Sequence, residues 1–477
     1  MRRVVGRRIL LGSVVTVLVV GYATLDVYDV VPGVLTLANA PDPTPASPTP
    51  SASATTTAAQ PRDADAGMPL AASGQQQPAP TAAGIQAATA AALADPALAG
   101  RLGVTVRDAA TGTHLLDANA DTPLIPASNL KLLSGAAVAA TFSVDATFTT
   151  RVVQGTEPGK VLLVAGGDTL LNPGKGDPNA VAGRAGLGDL VTTTAAALKA
   201  KGVNKVSVSM DLTRAPGPLL ASTWLPSFRP TGITGAVASI GLSSQRVVPG
   251  KPGPADPAAS VGEAFVAGLA AQGVSATLAA PATAPEGATA LASVTSAPVL
   301  DQLGLALQDS DDALTESLTR QAAYVKGAPT GFAETATFVR NTLSGLGVDL
   351  NGVSTVDASG LSRDNLVPAR VVADVIALGQ KMPAFNHAMQ EMAVAGLSGT
   401  LEDRFGAANT KTAAGLFRGK TGTLTGVNAL GGTIVTADGR LLVVDIIANG
   451  AGPAQGTPAV RAALDRFVAV LASCGCR

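Results

Sequence analysis

Apolar positions along this chain fall into one pattern at its two ends and another in its middle. Residues 85–94 are alanine-rich and read as a helix, stopped by Asp95-Pro96 because proline cannot continue one. Leu102, Val104 and Val106 then alternate, Thr111-Gly112 supplies a turn, and Leu115-Leu116 begins a return strand, which predicts a hairpin. After Pro126, residues 128–140 carry Leu132, Leu133 and Ala136 on one helical face, with Ser128 near the first turn. Far downstream, residues 426–435 and 441–447 flank Asp438-Gly439, the strongest hairpin signal in the sequence, and a helix follows at 458–471. Strands and helices at both ends, without βαβ alternation, predict one α+β domain split in sequence into residues 85–147 and 291–477.

The middle, residues 148–290, holds short strands at 161–164 and 206–210, helices at 190–199 and 261–271, and many Gly and Pro. It predicts an inserted domain, with the chain returning to the first domain near Val294. At the front, Arg2, Arg3, Arg7 and Arg8 precede an apolar run at 9–25. A basic flank followed by an apolar stretch is the pattern of a signal peptide or N-terminal membrane anchor, assigned here to residues 1–40. Ala38-Asn39-Ala40 offers a small-x-small cleavage site. Residues 41–84 are mostly Pro, Ala, Ser, Thr and Gln, too poor in large apolar side chains to offset chain entropy, and predict a disordered linker. The expected location is therefore extracytoplasmic, either anchored at the cytoplasmic membrane or secreted to the cell wall.

Composition narrows the chemistry. Only 14% of the 477 residues are charged and 3% aromatic, against 47% hydrophobic, so cores must be aliphatic. A net charge of -1 with sparse Lys and Arg argues against nucleic acid as a partner. Two His and two Cys leave no cluster of metal ligands, so neither metal nor cofactor is expected. His114 and His387 have no neighbours that suggest a Ser-His-Asp triad and are expected at the surface or in packing. Asp168 is expected to be structural. Cys474 and Cys476 leave three states open: an internal pair, an intermolecular bond, or free thiols.

Three short motifs remain. Ser128-Asn129-Leu130-Lys131 puts a hydroxyl and an amine three residues apart, on one helix face. A serine alcohol needs a base, and lysine serves only when its amine is neutral. A helix N-terminus at Ser128 would favour a developing oxyanion. Lys420-Thr421-Gly422-Thr423 reads as a strand whose edge can align an extended peptide. Its lysine and hydroxyls suit a carboxylate, and Gly422 would admit a ligand close to the backbone. Ser310-Asp311-Asp312, with Glu316 further along, reads by itself as a helix-capping sequence.

Together and in this order, the motifs resemble Ser-x-x-Lys, Ser-x-Asn and Lys-Thr-Gly of penicillin-binding proteins and serine β-lactamases. The long interval between Ser128 and Ser310 narrows the resemblance, as do the stretches 126–131, 357–363 and 419–424. The chain is similar to the D-alanyl-D-alanine carboxypeptidase/endopeptidase family of low-molecular-mass penicillin-binding proteins, in its actinobacterial form. The resemblance implies a transpeptidase-like α+β fold, an antiparallel sheet with helices, split by an inserted domain. It implies Ser128 as the acylated nucleophile, Lys131 as its base, Ser310 as a proton relay to the leaving D-Ala amine, and Lys420 as its support. Backbone amides of Ser128 and Thr423 would form the oxyanion hole, Thr421 and Thr423 would hold the substrate carboxylate, and peptidoglycan stem peptides and β-lactams would be the ligands. Asp312 stands where the family usually has Asn. Ionised, it would hold Lys131 protonated; protonated, it would mimic the amide with one donated hydrogen bond. A catalytically impaired wall-binding or scaffolding homologue and a β-lactamase or esterase are the alternative readings.

Overall fold

The computed structural model describes residues 77–450 and 456–477, so the N-terminal segment 1–40 and the linker up to residue 76 lie outside the described residues. In chain order come α1 (Ala82–Leu93), β1 (Arg101–Asp108), β2 (His114–Ala118), α2 (Leu130–Ala139), β3 (Thr149–Gln154), β4 (Lys160–Val164), α3 (Leu187–Ala200), β5 (Lys205–Asp211), α4 (Pro257–Ala271), β6 (Ser275–Leu278) and β7 (Ala290–Thr295). They are followed by α5 (Val299–Asp309), α6 (Asp312–Val325), α7 (Phe332–Gly345), α8 (Ala369–Gly379), α9 (Pro383–Gln390), β8 (Phe417–Leu424), β9 (Val427–Val435), β10 (Leu441–Asn449) and α10 (Gly456–Ala472). The first helix starts earlier than its alanine run suggests. Thr81 caps it by accepting the Gly84 N–H at 3.0 Å, so residues 82–84 are helical and not part of a disordered linker.

Two sheets organise the body. The first is antiparallel, in the order β2-β1-β10-β9-β8, and joins strands from both ends of the sequence through the β1–β10 pairing. Along β10, successive side chains face opposite sides. Leu442, Val444 and Ile446 share one core with Phe467 and Leu464 of α10 and Ile85 of α1. Val443 and Ile447 share another with the helices α2, α5, α7 and α8. Every residue of α2 is buried, as expected of a helix enclosed on all sides, and Lys131 is the one charged side chain within it.

The second sheet, in the order β6-β5-β4-β3-β7, is mixed. Strand β3 runs antiparallel to β4 and β7, whereas β4, β5 and β6 are parallel. Parallel neighbours need a crossover, which α3 and α4 supply while covering the sheet with Leu190, Val261, Phe265 and Leu269. The middle thus contains βαβ steps, which strands of four to seven residues were too short to signal by periodicity.

Between α5 and α6 the chain breaks at Ser310, whose φ of 59° lies in the left-handed region. Asp311 caps α6 by accepting the Leu314 N–H at 3.0 Å. Ser310 is thus the last turn of one helix and not the cap of the next, which corrects the capping expectation. The open state of the cysteines also resolves, since Cys474 and Cys476 are paired as a disulfide.

Candidate active site

A single 3-10 turn, Ala127–Asn129, presents Ser128 at the entrance to α2. The turn is tight: Ala127 has φ 45°, and two glycines make room for it. A Cβ on Gly360 would collide with the Ala127 carbonyl, and one on Gly422 would sit 2.8 Å from the Pro126 carbonyl. The missing side chain at Gly422 therefore makes room for the chain's own turn at Ser128. Ser128 is half-buried at the rim, and Lys131 lies beneath it with no exposed surface.

The Lys131 Nζ donates to three oxygens: Ser128 Oγ at 2.9 Å, the Ser359 carbonyl at 2.8 Å, and Asp312 Oδ1. Asp312 is also buried, and this burial pushes its carboxyl above the usual range even though Lys131 and Lys420 pull it down. Asp312 is thus in direct contact with the amine that also reaches Ser128 Oγ.

A second pair completes the groove. Lys420 Nζ donates to Ser310 Oγ at 2.8 Å and to the Thr421 carbonyl at 2.7 Å. Burial, reinforced by the charge of Lys131, lowers the Lys420 ammonium well below the usual lysine range. The strand that carries it, β8, is a sheet edge. Residues 393–395 cover the first part of that edge, ending where the Gly419 N–H meets the Ala393 carbonyl at 2.9 Å. By the period of two, the next N–H groups that point outward are those of Thr421 and Thr423, along the groove. Thr423 is exposed, while the Thr421 hydroxyl is buried and donates to Thr400 Oγ1 at 2.9 Å.

Several groups at the site carried no recognisable signal in the sequence. Thr400 lies in a short 3-10 turn with no periodic pattern to place it beside β8. The loop 357–363 was noticed as a stretch, but its bonding was not. Asp357 accepts the N–H groups of Gly360 at 2.9 Å and Ser362 at 2.7 Å, the Asn365 amide at 2.8 Å, and the Trp224 indole at 2.8 Å. Glu316 is not a cap. It is buried on α6, and its Oε1 accepts the N–H groups of Ala358 at 2.9 Å and Ser359 at 2.8 Å. Desolvation first, and the nearby Asp357 second, push the Glu316 carboxyl up to about 8. These bonds aim the Ser359 carbonyl at Lys131. The remaining candidates stay outside the groove. Asp168 is buried and accepts the Leu170 N–H at 2.8 Å, while His114 and His387 pair with Asp117 and Asp301.

Residues 85–256 and 253–471 match the family described as D-Ala-D-Ala carboxypeptidase 3 (S13). The chain belongs to this S13 family. Carboxypeptidase DacB of Mycolicibacterium smegmatis is 36% identical over 407 residues, spanning 84% of this chain and 86% of that one. Penicillin-binding protein 4 of Haemophilus influenzae superposes with a TM-score of 0.66 at 19% identity, covering 80% of this chain and 97% of the other. The same protein complexed with a β-lactam superposes with a TM-score of 0.59. The S13 carboxypeptidase fold of this chain is thus the penicillin-binding α+β architecture, interrupted by an inserted domain.

Proposed function

We propose that this S13 protein is a serine D-Ala-D-Ala carboxypeptidase or endopeptidase that trims peptidoglycan stem peptides through an acyl-enzyme on Ser128. The observation that carries the reading is the pair of lysine–serine contacts in one groove, Lys131 with Ser128 at 2.9 Å and Lys420 with Ser310 at 2.8 Å. In acylation, Lys131 Nζ takes the Ser128 proton as Oγ bonds to the carbonyl carbon of the penultimate D-Ala. The oxyanion forms against the amides of Ser128, at the start of α2, and Thr423, on the β8 edge. Ser310, hydrogen-bonded to Lys420, passes a proton to the amine of the terminal D-Ala as the C–N bond breaks. Water then attacks the ester and regenerates Ser128. Thr421, Thr423 and Lys420 offer donors to the substrate carboxylate, and Gly422 lets β8 pack against the nucleophile turn.

The same groove would accept a β-lactam as a stem-peptide mimic, and the basic and apolar run near the N-terminus of the sequence supports a reaction outside the cytoplasmic membrane. Among the described residues no helix is long and apolar enough to cross a membrane. One observation favours a slow enzyme, the second reading: Asp312 bonds directly to Lys131, and a carboxylate there stabilises the ammonium form over the amine that must act as base. Mass spectrometry after exposure to benzylpenicillin tests both readings. A penicilloyl adduct on the peptide containing Ser128, absent from Ser128→Ala, is the expected result. An unlabelled wild-type protein would leave only the scaffolding role, and an adduct that disappears within seconds would indicate a β-lactamase.

A further inference from the structure

A carboxyl group that the mechanism does not use lies directly beneath the nucleophile turn. Asp445 of β10 is fully buried, and pairing across three strands sets Lys420 opposite Gly431 and Gly431 opposite Asp445. Residues directly opposite in a sheet face the same side, so Asp445 shares the face of Lys420 with an empty position between them. That gap is filled from above. A Cβ on Gly431 would collide with Asp445 Oδ1 and sit 3.0 Å from Asn129 Nδ2. Asn129, the residue after Ser128, donates from Nδ2 to Asp445 Oδ1 at 2.7 Å.

This bond leaves two oxygens, Asp445 Oδ2 and Asn129 Oδ1, buried and without a hydrogen-bond partner. Both are acceptors when Asp445 is ionised, and an unmet buried acceptor is costly. A single proton on Asp445 satisfies both. We propose that Asp445 is a neutral carboxylic acid in the folded protein, donating from Oδ2 to Asn129 Oδ1, so that an acid–amide ring of two hydrogen bonds positions the turn carrying Ser128. Burial supports this state by pushing the Asp445 carboxyl well above its usual range, although the Asn129 bond pulls it down. The charged groups on the elements around it include Lys420 of β8, Lys131 of α2, Arg107 of β1, Asp117 of β2, which bonds Thr105 opposite Asp445, and the pair Asp374 and Arg370 of α8. Among the described residues Asn129 is its one hydrogen-bond partner. Asp445 is thus a positioning residue, acting on Ser128 through Asn129.

The test uses the full chain. The infrared difference spectrum between wild type and Asp445→Asn at pH 7 should contain the C=O stretch of a protonated carboxylic acid, sensitive to deuterium exchange. A difference containing only carboxylate bands overturns the proposal. For penicillin acylation, Asp445→Leu should lose about tenfold or more, since it strands the Asn129 amide. Asp445→Asn, whose amide can donate in the same place, should recover most of that loss, as should the exchanged pair Asn129→Asp with Asp445→Asn. Equal loss in Asp445→Asn and Asp445→Leu would instead make Asp445 an ionised counter-charge to Lys420 and end the proposal. Should Asp445→Leu fail to fold, the infrared band and the exchanged pair still decide. The kinetic arm rests on Ser128 as nucleophile and the infrared arm does not. Failure of that reading would appear as an unlabelled wild type, whatever the spectrum.

Discussion

At the scale of single residues, the proposed mechanism makes Asp312 the group that sets how readily the site reaches its reactive state. Its carboxyl and the Lys131 amine share a buried contact, so the proton that Ser128 must lose competes with one already held between them. Replacing Asp312 with Asn keeps the shape and the hydrogen bond but removes the counter-charge that favours the ammonium. The labelling rate of Asp312→Asn by a fluorescent penicillin should rise about tenfold at neutral pH, the equivalent of about 1.4 kcal/mol. A rate equal to or below wild type in stopped-flow labelling would show that Asp312 already acts as a neutral donor. Gly422 makes a second argument at this scale. Gly422→Ala must displace the Pro126 carbonyl and the Ala127 side chain, which lie 2.8 and 3.2 Å from the added methyl position. A loss of about 1–3 kcal/mol in urea unfolding is expected, together with slower acylation, because the strain falls on the turn that carries Ser128.

Among the elements, the loop 357–363 depends on a carboxyl that α6 buries. Glu316 titrates at an ordinary value of 4.5 in the unfolded chain and near 8 in the folded one. Between those pH values the folded state holds the extra proton, so stability is full below the lower value, falls as pH rises to about 8, and levels off beyond it. Each unit of separation is worth about 1.4 kcal/mol. Glu316→Gln keeps an acceptor for Ala358 and Ser359 without the titration. Its urea midpoint should fall less between pH 5 and pH 8 than that of the wild type, since the other buried carboxyls titrate in both; parallel curves would refute the assignment. This element also marks where sequence reasoning stopped. The hairpins, the helix of Ser128 and the split domain were legible because alternation, a turn dipeptide and helical spacing are local signals. Lys131, Ser310 and Lys420 were legible through their motifs. Glu316, Ser359, Thr400 and Asp445 were not, because each acts through contacts set only when distant strands and helices pack. Asp445 in particular sits in an apolar strand, where one acidic residue carries no period and no motif.

Across the whole molecule, the inserted region meets the other half at several bonds, among them Arg246 with Asp309 and Asp311, and at Trp224, the one tryptophan in the chain. Its ring stacks edge-on with Phe332 of α7 at 5.1 Å, and its indole N–H reaches Asp357 in the loop beneath Lys131. Trp224→Phe keeps the ring contact and removes the bond. It should cost about 1 kcal/mol of stability and raise hydrogen exchange at Ala358 and Ser359, with a modest slowing of acylation. Unchanged exchange there would mean that the insertion merely rests against the site.

The closing bond between the ends of the body has a mechanical meaning. The Thr81 N–H donates to the Cys476 carbonyl at 2.8 Å, and Arg440, at the β9–β10 turn, holds the Gln77 carbonyl at 3.2 Å. Both ends of the body therefore leave from one corner, at the end of β9 away from Ala429, which packs beside Gly422 and the nucleophile turn. At about 3.3 Å per residue, that separation along the strand is roughly 20 Å. A support or fused domain grasping either end would leave the groove unobstructed. A pull between the two ends would peel α1 from α10, starting at the Thr81–Cys476 bond, before any force reached Ser128.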